Sequence, residues 1–395
     1  MEGKQIMDYF EESIDMHLRL KGKIEVGTKV KVDNKDDLSI AYMPGVAQPC
    51  IEIKDDPEMA YRLTIKANTV AVVSDGSAVP DLGNIGGLAS LPVMEGKAVL
   101  FKEFGDVDAF PICLDTQDVD EIVETVKNIA PSFGGINLED ISAPRCYEIE
   151  RRLQEELDIP VFHDDRHGTA VVVGAAVINA FRLINKPLRL VRAVISGTGA
   201  AGNAVLKMLR LLGISDILIC DSKGIISMDR LSEFDENKME LLELSNKDGI
   251  TGTLADAVIG RDLFIGVSAP DILDASMVKS MMDDCVILAM ANPEPEIDPT
   301  IAKEAGARIV GTGRPDIPNQ INNVLAFPGI FKGALNARAK KITDEMKLAA
   351  THALADLVSE DELKEDYVIP PVFKEGLADA VAASVARAWV IDNET

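Results

Sequence analysis

An apolar run at residues 191–196 feeds directly into Gly197-Thr198-Gly199-Ala200-Ala201-Gly202 and then into a helical pattern over residues 203–212. No other feature restricts the fold as much. The first glycine permits a tight turn, the second lets backbone approach a pyrophosphate, and the third lets the helix pack on the strand. The helix N-terminus then presents unpaired N–H groups to phosphate. A second apolar run at residues 217–220 ends at Asp221, nineteen residues beyond Gly202. An acid at that spacing can accept both ribose hydroxyls, so Gly197 to Gly202 and Asp221 form the expected dinucleotide-binding set. Taken alone, Asp221 would be a simple turn residue.

Apolar runs at 216–220, 263–267, 286–290 and 308–311 alternate with helical patterns, the rhythm of a parallel doubly wound sheet. The first 160 residues mix strands (70–74, 98–101, 108–113) with helices, one over 144–157, and contain no glycine-rich turn. Asp158-Ile159-Pro160 breaks that charged helix. The expected organisation is an α/β domain over 1–160 and a Rossmann-type domain over 161–395, with trailing helices at 343–357 and 374–390 separated by Pro370-Pro371.

With 65 acidic and 40 basic residues the chain carries a formal charge of -25, which repels phosphate backbones and anionic lipid, so nucleic acid is not an expected partner. The five cysteines form no C-x-x-C pair and are expected to be reduced and mostly buried. Residues 1–17 lack the apolar core of a signal peptide, and the longest apolar stretch, 169–181, is shorter than the roughly 20 residues a bilayer requires. A soluble, cytoplasmic protein with no membrane contact is expected. Gly96-Lys97-Ala98 imitates the end of a P-loop, but Leu91 replaces the first glycine and Ala98 the metal-binding hydroxyl, so ATP chemistry is not supported.

Glu139 and Asp140 follow one apolar run and Asp164 and Asp165 another, each pair where a strand is expected to end and a helix to begin. Either pair alone is explained by helix capping. Together, beside a dinucleotide turn, they suit a hard divalent ion, Mg2+ or Mn2+, whereas no His or Cys set suits zinc. His163 and His167 are expected to be structural.

These segments together resemble the malic enzyme family. Tyr42-Met43-Pro44-Gly45-Val46-Ala47 is similar to its Y-x-P-G-V-A segment, and Met94-Glu95-Gly96-Lys97-Ala98 to its lysine motif. Asn137-Leu138-Glu139-Asp140 and the run from Phe162 to Ala170 are similar to its metal segments, and Ala291-Asn292-Pro293 and Asn319 to Val324 with Phe327-Pro328-Gly329 to its substrate-amide and terminal motifs. The resemblance covers nearly the whole chain and is nearest to the short prokaryotic type. It implies an N-terminal substrate and metal domain, and metal-dependent oxidative decarboxylation of (S)-malate to pyruvate and CO2 with NAD or NADP, along with oxaloacetate decarboxylation.

Residue by residue, the resemblance implies Glu139, Asp140 and Asp165 as metal ligands. Lys97 would be the general base for the C2 hydroxyl, with its pKa lowered by burial and a nearby cation, and Tyr42 the acid that protonates C3. Asp164 would orient Lys97 or the metal shell. Asn292 and Asn323 would bind substrate beside Tyr42 and Lys97, with Asn292 also facing the cofactor. A homodimer is implied as well, in which Tyr42 could reach the partner's site. Two departures stand out: Pro80 and Asp81 replace Leu and Gly of a V-L-G-L-G segment, and Ala78 stands where the large mitochondrial type has a substrate-binding arginine. Carboxylate recognition then falls to Asn292, Asn323 or the backbone around Gly76 and Ser77. Asp221 favours NAD, since it would repel a 2'-phosphate, although Lys223 could bind one. The competing readings are a metal-independent two-domain dehydrogenase of an amino or hydroxy acid and a non-catalytic dinucleotide sensor.

Overall fold

The computed structural model describes residues 9–394; residues 1–8, part of the segment read for a signal peptide, lie outside them. Among the described residues ten strands form two sheets. The first contains β1 (Thr69–Ser74), β2 (Asp108–Cys113), β3 (Gly135–Leu138) and β4 (Val161–His163), all parallel, in the order β2-β1-β3-β4. The second contains β5 (Arg192–Ser196), β6 (Asp216–Asp221), β7 (Gly224–Ile225), β8 (Leu263–Gly266), β9 (Val286–Ala289) and β10 (Ile309–Thr312), in the order β10-β9-β8-β5-β6-β7. Only β7 is antiparallel there.

The chain reverses direction across each sheet, between β1 and β3 in the first and between β5 and β8 in the second. In open α/β sheets the crevice beyond the C-terminal ends of the strands at such a point is where ligands bind. The strands are apolar on both faces because both faces are covered. Val70 and Val72 point into the large central core, while Ala71 and Val73 point into the outer core of the first sheet. In the second sheet Ala193 and Ile195 face the central core and Val194 faces its own outer core.

The central core joins the two halves. Its axis is the Asp164–Ile184 helix, from which Val171, Val173, Ala175 and Val177 are buried. This helix is long and apolar enough by length and composition to cross a membrane, more so than the 169–181 stretch suggested, but 67% of its most apolar window is buried inside the protein. Asn179, in its C-terminal half, donates to the carbonyls of Ala355 and Val368 at 2.9 and 3.0 Å, fastening the C-terminal segment to it. Phe101, Phe327, Phe331 and Phe162 pack tilted or edge-on with ring centroids 4.6 to 5.8 Å apart, linking the Gly86–Gly105 helix, the Phe327–Asn336 helix and β4.

Two expectations need correction. Residues 98–101 are not a strand but part of the Gly86–Gly105 helix. A four-residue apolar run cannot distinguish strand from buried helix, and the buried residues Met94, Lys97, Ala98, Phe101 and Gly105 show the three-and-four spacing of a helix face. The boundary at 160 falls just before β4, which pairs with β3, so residues 161–163 belong to the first sheet.

Candidate functional site

The first acidic pair leaves the sheet at the end of β3. Glu139 N–H still donates to the Val73 carbonyl at 2.9 Å, and Asp140 then takes a left-handed φ of 54°, which Asp tolerates better than most residues. The next helix starts only at Arg145, so this pair lies in a turn and does not cap a helix. The second pair does open a helix: Asp164 and Asp165 are the first residues of Asp164–Ile184, where carboxylates complement the helix dipole. Glu139, Asp140 and Asp165 each place a carboxylate oxygen within 4.8 Å of the other two.

A dication fits these residues. Asp140 Oδ2 is buried without a hydrogen-bond partner. Burial, with the charges of Asp165 and Glu139, pushes the Asp140 carboxyl up to about 9, and burial also raises Glu139. Such crowding is relieved by a hard cation with oxygen ligands. Asp165 is oriented from behind, because its Oδ2 accepts the Asp140 N–H at 2.9 Å.

Lys97 approaches from the Gly86–Gly105 helix, almost fully buried, and its ammonium bonds Asp164 Oδ2 and lies 2.8 Å from Glu139 Oε1. The Phe327 ring lies 4.0 Å away on another side. Burial alone would lower the Lys97 pKa, but Asp164, Glu139 and Asp165 outweigh it and hold the lysine above its ordinary value. The expected fall is therefore not produced by the chain's own groups; it needs positive charge from outside the chain. Burial pushes Asp164 up to about 8. Gly168 lies under Asp164, and any Cβ there would overlap Asp164 Oδ1.

The other expected residues divide. Asn323 sits beside Gly168 and Asp164, and a Cβ on Gly313 would come within 3.2 Å of Asn292 Oδ1. Both side-chain amides make no hydrogen bond to the described residues, so both are available to a ligand. The backbone of the Gly76 turn is not. Gly76 N–H donates to Ser74 Oγ, Ser77 N–H to Asp75 Oδ1, Ala78 N–H to the Asp140 carbonyl and Val79 N–H to the Gly83 carbonyl. The Ser77 hydroxyl is also occupied, by Asp75, Arg145 and the Ser142 N–H. Asp81 has a φ of 64° in a turn closed by Leu82 N–H to the Val79 carbonyl, which explains how Pro80-Asp81 substitutes for Leu-Gly. Tyr42 is not brought to Lys97 within the chain; it is 64% exposed, in an N-terminal region whose helices bury no residue.

The glycine turn leaves β5 as expected. Gly197 has a φ of 119°, its missing Cβ would strike the Val267 carbonyl, and the Ala200–Leu211 helix follows. Asp221 ends β6 and is clamped: its Oδ2 accepts from Arg230 and Lys238 at 2.7 Å each, and its Oδ1 accepts the Lys223 N–H at 2.9 Å. Against burial, Arg230 and Lys238 bring its carboxyl down to about 2. The Lys223 ammonium is directed to Glu233 at 2.8 Å. The sequence reading missed Arg230 and Lys238, whose only signal is a pair of basic residues shortly after an acid.

It also missed Glu150. This buried carboxylate bonds Arg166, accepts the His163 N–H at 3.0 Å and meets His167 Nε2 at 3.0 Å, fixing the segment that carries Asp164 and Asp165. The His167 ring is thus held by Glu150, whereas the His163 ring is not: its two nitrogens are buried without a hydrogen-bond partner, Nδ1 lying 3.7 Å from Asp165 Oδ2. A cavity of about 1010 Å³ lined by Glu150, Arg166, His167 and Asn203 backs onto this arrangement, but none of Lys97, Glu139, Asp140 and Asp165 lines that cavity.

The profile for the malic enzyme N-terminal domain matches residues 21–154, and that for the malic enzyme NAD binding domain matches residues 167–390. The chain is 55% identical to a bifunctional malic/malolactic enzyme of Bacillus subtilis over 382 residues, covering 97% of this chain and 93% of the other. It is 55% identical to an NAD-dependent malic enzyme of Geobacillus stearothermophilus, covering 98% and 80%. Among solved structures, an NAD-dependent malic enzyme from Thermotoga maritima is similar with a TM-score of 0.91 at 48% identity, covering 95% of this chain and 98% of that one.

Proposed function

The chain belongs to the malic enzyme family, and from that premise we propose that it oxidises and decarboxylates (S)-malate to pyruvate and CO2, reducing NAD or NADP. One observation carries the assignment of the chemistry to residues: a trio of carboxylates, Glu139, Asp140 and Asp165, is joined to a buried lysine through Glu139 and Asp164. A metal-independent dehydrogenase has no use for such a trio, and a sensor has no use for the lysine. Held by the trio, Mg2+ or Mn2+ would supply Lewis-acid charge to the substrate and would offset the carboxylates that hold Lys97 protonated.

Lys97, once neutral, would take the proton of the C2 hydroxyl while C2 gives up its hydrogen with the electron pair, for which a dinucleotide held at the glycine turn would be the acceptor. Asp164 orients the lysine and shares its proton. The C3–C4 bond then breaks, CO2 departs, and the electron pair is held as the enolate until Tyr42 protonates C3. Asn292 and Asn323 offer their unbonded amides to the substrate. Ala78 provides no guanidinium and the Gly76 turn no free N–H, so these amides are the neutral part of carboxylate recognition.

The proposal includes a cytoplasmic homodimer in which Tyr42 completes the partner's site. Supporting it, Ile40, Tyr42 and Met43 are 76, 64 and 61% exposed on an N-terminal region with no buried residue in its helices. The region is anchored beside the lysine helix, where Lys23 N–H donates to Glu95 at 2.9 Å. The assay is reduction of NAD and NADP with malate in Mn2+, and again after chelation. Turnover that chelation abolishes and Mn2+ restores is the expected result; undiminished turnover after chelation would exclude the metal-dependent reading.

A further inference from the structure

Glu296, in the loop after β9, is fully buried. Burial raises its carboxyl above the ordinary carboxylate range, and backbone N–H groups, those of Ala291 and Ser268 foremost, offset that only in part. Its Oε1 accepts the Ser268 N–H at 3.0 Å and its Oε2 the Ala291 N–H at 3.0 Å. Ser268 lies just beyond β8, and its hydroxyl is 3.0 Å from that of Ser196, the residue before Gly197. Ala291 immediately precedes Asn292. One carboxylate thus joins the loops after β8 and β9, beside the turn that leaves β5. Gly266 accommodates it, since a Cβ there would overlap the carboxylate.

Desolvating a carboxylate is unfavourable, and an apolar side chain would pack at less cost while stranding two buried N–H groups. The two hydrogen bonds of the Glu296 carboxyl set a geometry that packing would leave loose. We propose that Glu296 is a positioning residue that fixes the separation of the Ser268 and Asn292 loops and thereby sets the affinity for the dinucleotide and for malate. The malate half rests on the function proposed above; the dinucleotide half rests on the loops themselves.

The test compares ligands on two variants of the full chain. Glu296→Gln keeps the size but turns an NH2 toward one of the two N–H groups. Gly266→Ala displaces the carboxylate without altering it. Each is expected to raise the dissociation constant of NADH, read by its fluorescence, about tenfold, the loss of one such bond. The KM for malate should rise by more than kcat falls, while Mn2+ affinity by calorimetry stays at the parent value. NADH binding within twofold of the parent in both variants overturns the proposal. So does parallel weakening of NADH and Mn2+, which marks a merely structural role. Should Glu296→Gln not fold, Gly266→Ala decides alone. A parent enzyme that does not turn over malate removes the function proposed above and leaves the NADH and Mn2+ comparison intact.

Discussion

Lys97 Nζ stands 2.8 Å from Glu139 Oε1, so the proposed general base and one of the proposed metal ligands form an ion pair. The ammonium and a dication then compete for Glu139. Lys97→Ala is expected to lower malate oxidation by about 10²- to 10⁴-fold, the usual range for loss of a general base. The same variant should bind Mn2+ more tightly by calorimetry, because the competing charge is gone. Unchanged or weaker Mn2+ binding would show that the two do not share Glu139.

Asp165→Ala is expected to abolish turnover and leave NADH binding close to that of the parent. Asp165 belongs to the cluster beyond the first sheet, whereas the glycine turn leaves β5 of the second. Near-parental turnover in saturating Mn2+ would remove Asp165 from the ligand set.

Cofactor choice centres on Asp221 with its two cations. With the carboxylate in place, NAD should have the higher kcat/KM, because a 2'-phosphate meets like charge. Asp221→Ala leaves Arg230 and Lys238 without their shared partner. The ratio should then move toward NADP by about tenfold or more, the scale of one charge-assisted contact. A ratio favouring NADP in the parent enzyme rejects the first expectation, and an unmoved ratio in the variant rejects the second.

If Tyr42 serves the partner's site, two inactive variants should complement each other. Mixing Tyr42→Phe with Lys97→Ala chains, with subunit exchange, should recover roughly a quarter of parent activity, since half the dimers are mixed and each has one intact site. No recovery despite demonstrated exchange places both groups in one chain. Assayed separately, Tyr42→Phe should impair exchange of pyruvate methyl hydrogens into deuterated water more than Lys97→Ala does, with the reverse order for hydride transfer.

Burial lowers the His167 pKa to about 4, so the folded chain keeps this ring neutral where the unfolded chain, with a value near 6.5, takes up a proton. The stability this contributes is fully present above pH 6.5 and is lost as pH falls toward 4. Thermal melts should therefore show Tm falling across that window, and His167→Gln should flatten the slope. A variant with the parental slope would assign the acid loss elsewhere.

Local signals were enough for some features. The glycine turn after β5, the acid closing β6 and the two acidic pairs were legible because each depends on residues adjacent in sequence, where backbone conformation and strand ends are encoded. So was β1, which covers Thr69–Ser74 against the expected 70–74. The helix at 98–101 was misread because four apolar residues have no distinguishing period; the helix shows itself only through the core that buries Met94 and Phe101.

The rest was decided by tertiary structure. Sequence placed a lysine, a tyrosine and four carboxylates in one functional set through resemblance to a family. Only the fold put Lys97 on Glu139 and Asp164, left Tyr42 exposed, and set Arg230 and Lys238 on Asp221. Electrostatics depends on distance in space and on desolvation, neither of which the order of residues records. Hence the direction of the Lys97 pKa, the occupied N–H groups of the Gly76 turn and the buried carboxylate of Glu296 follow from how the two sheets pack around the Asp164–Ile184 helix.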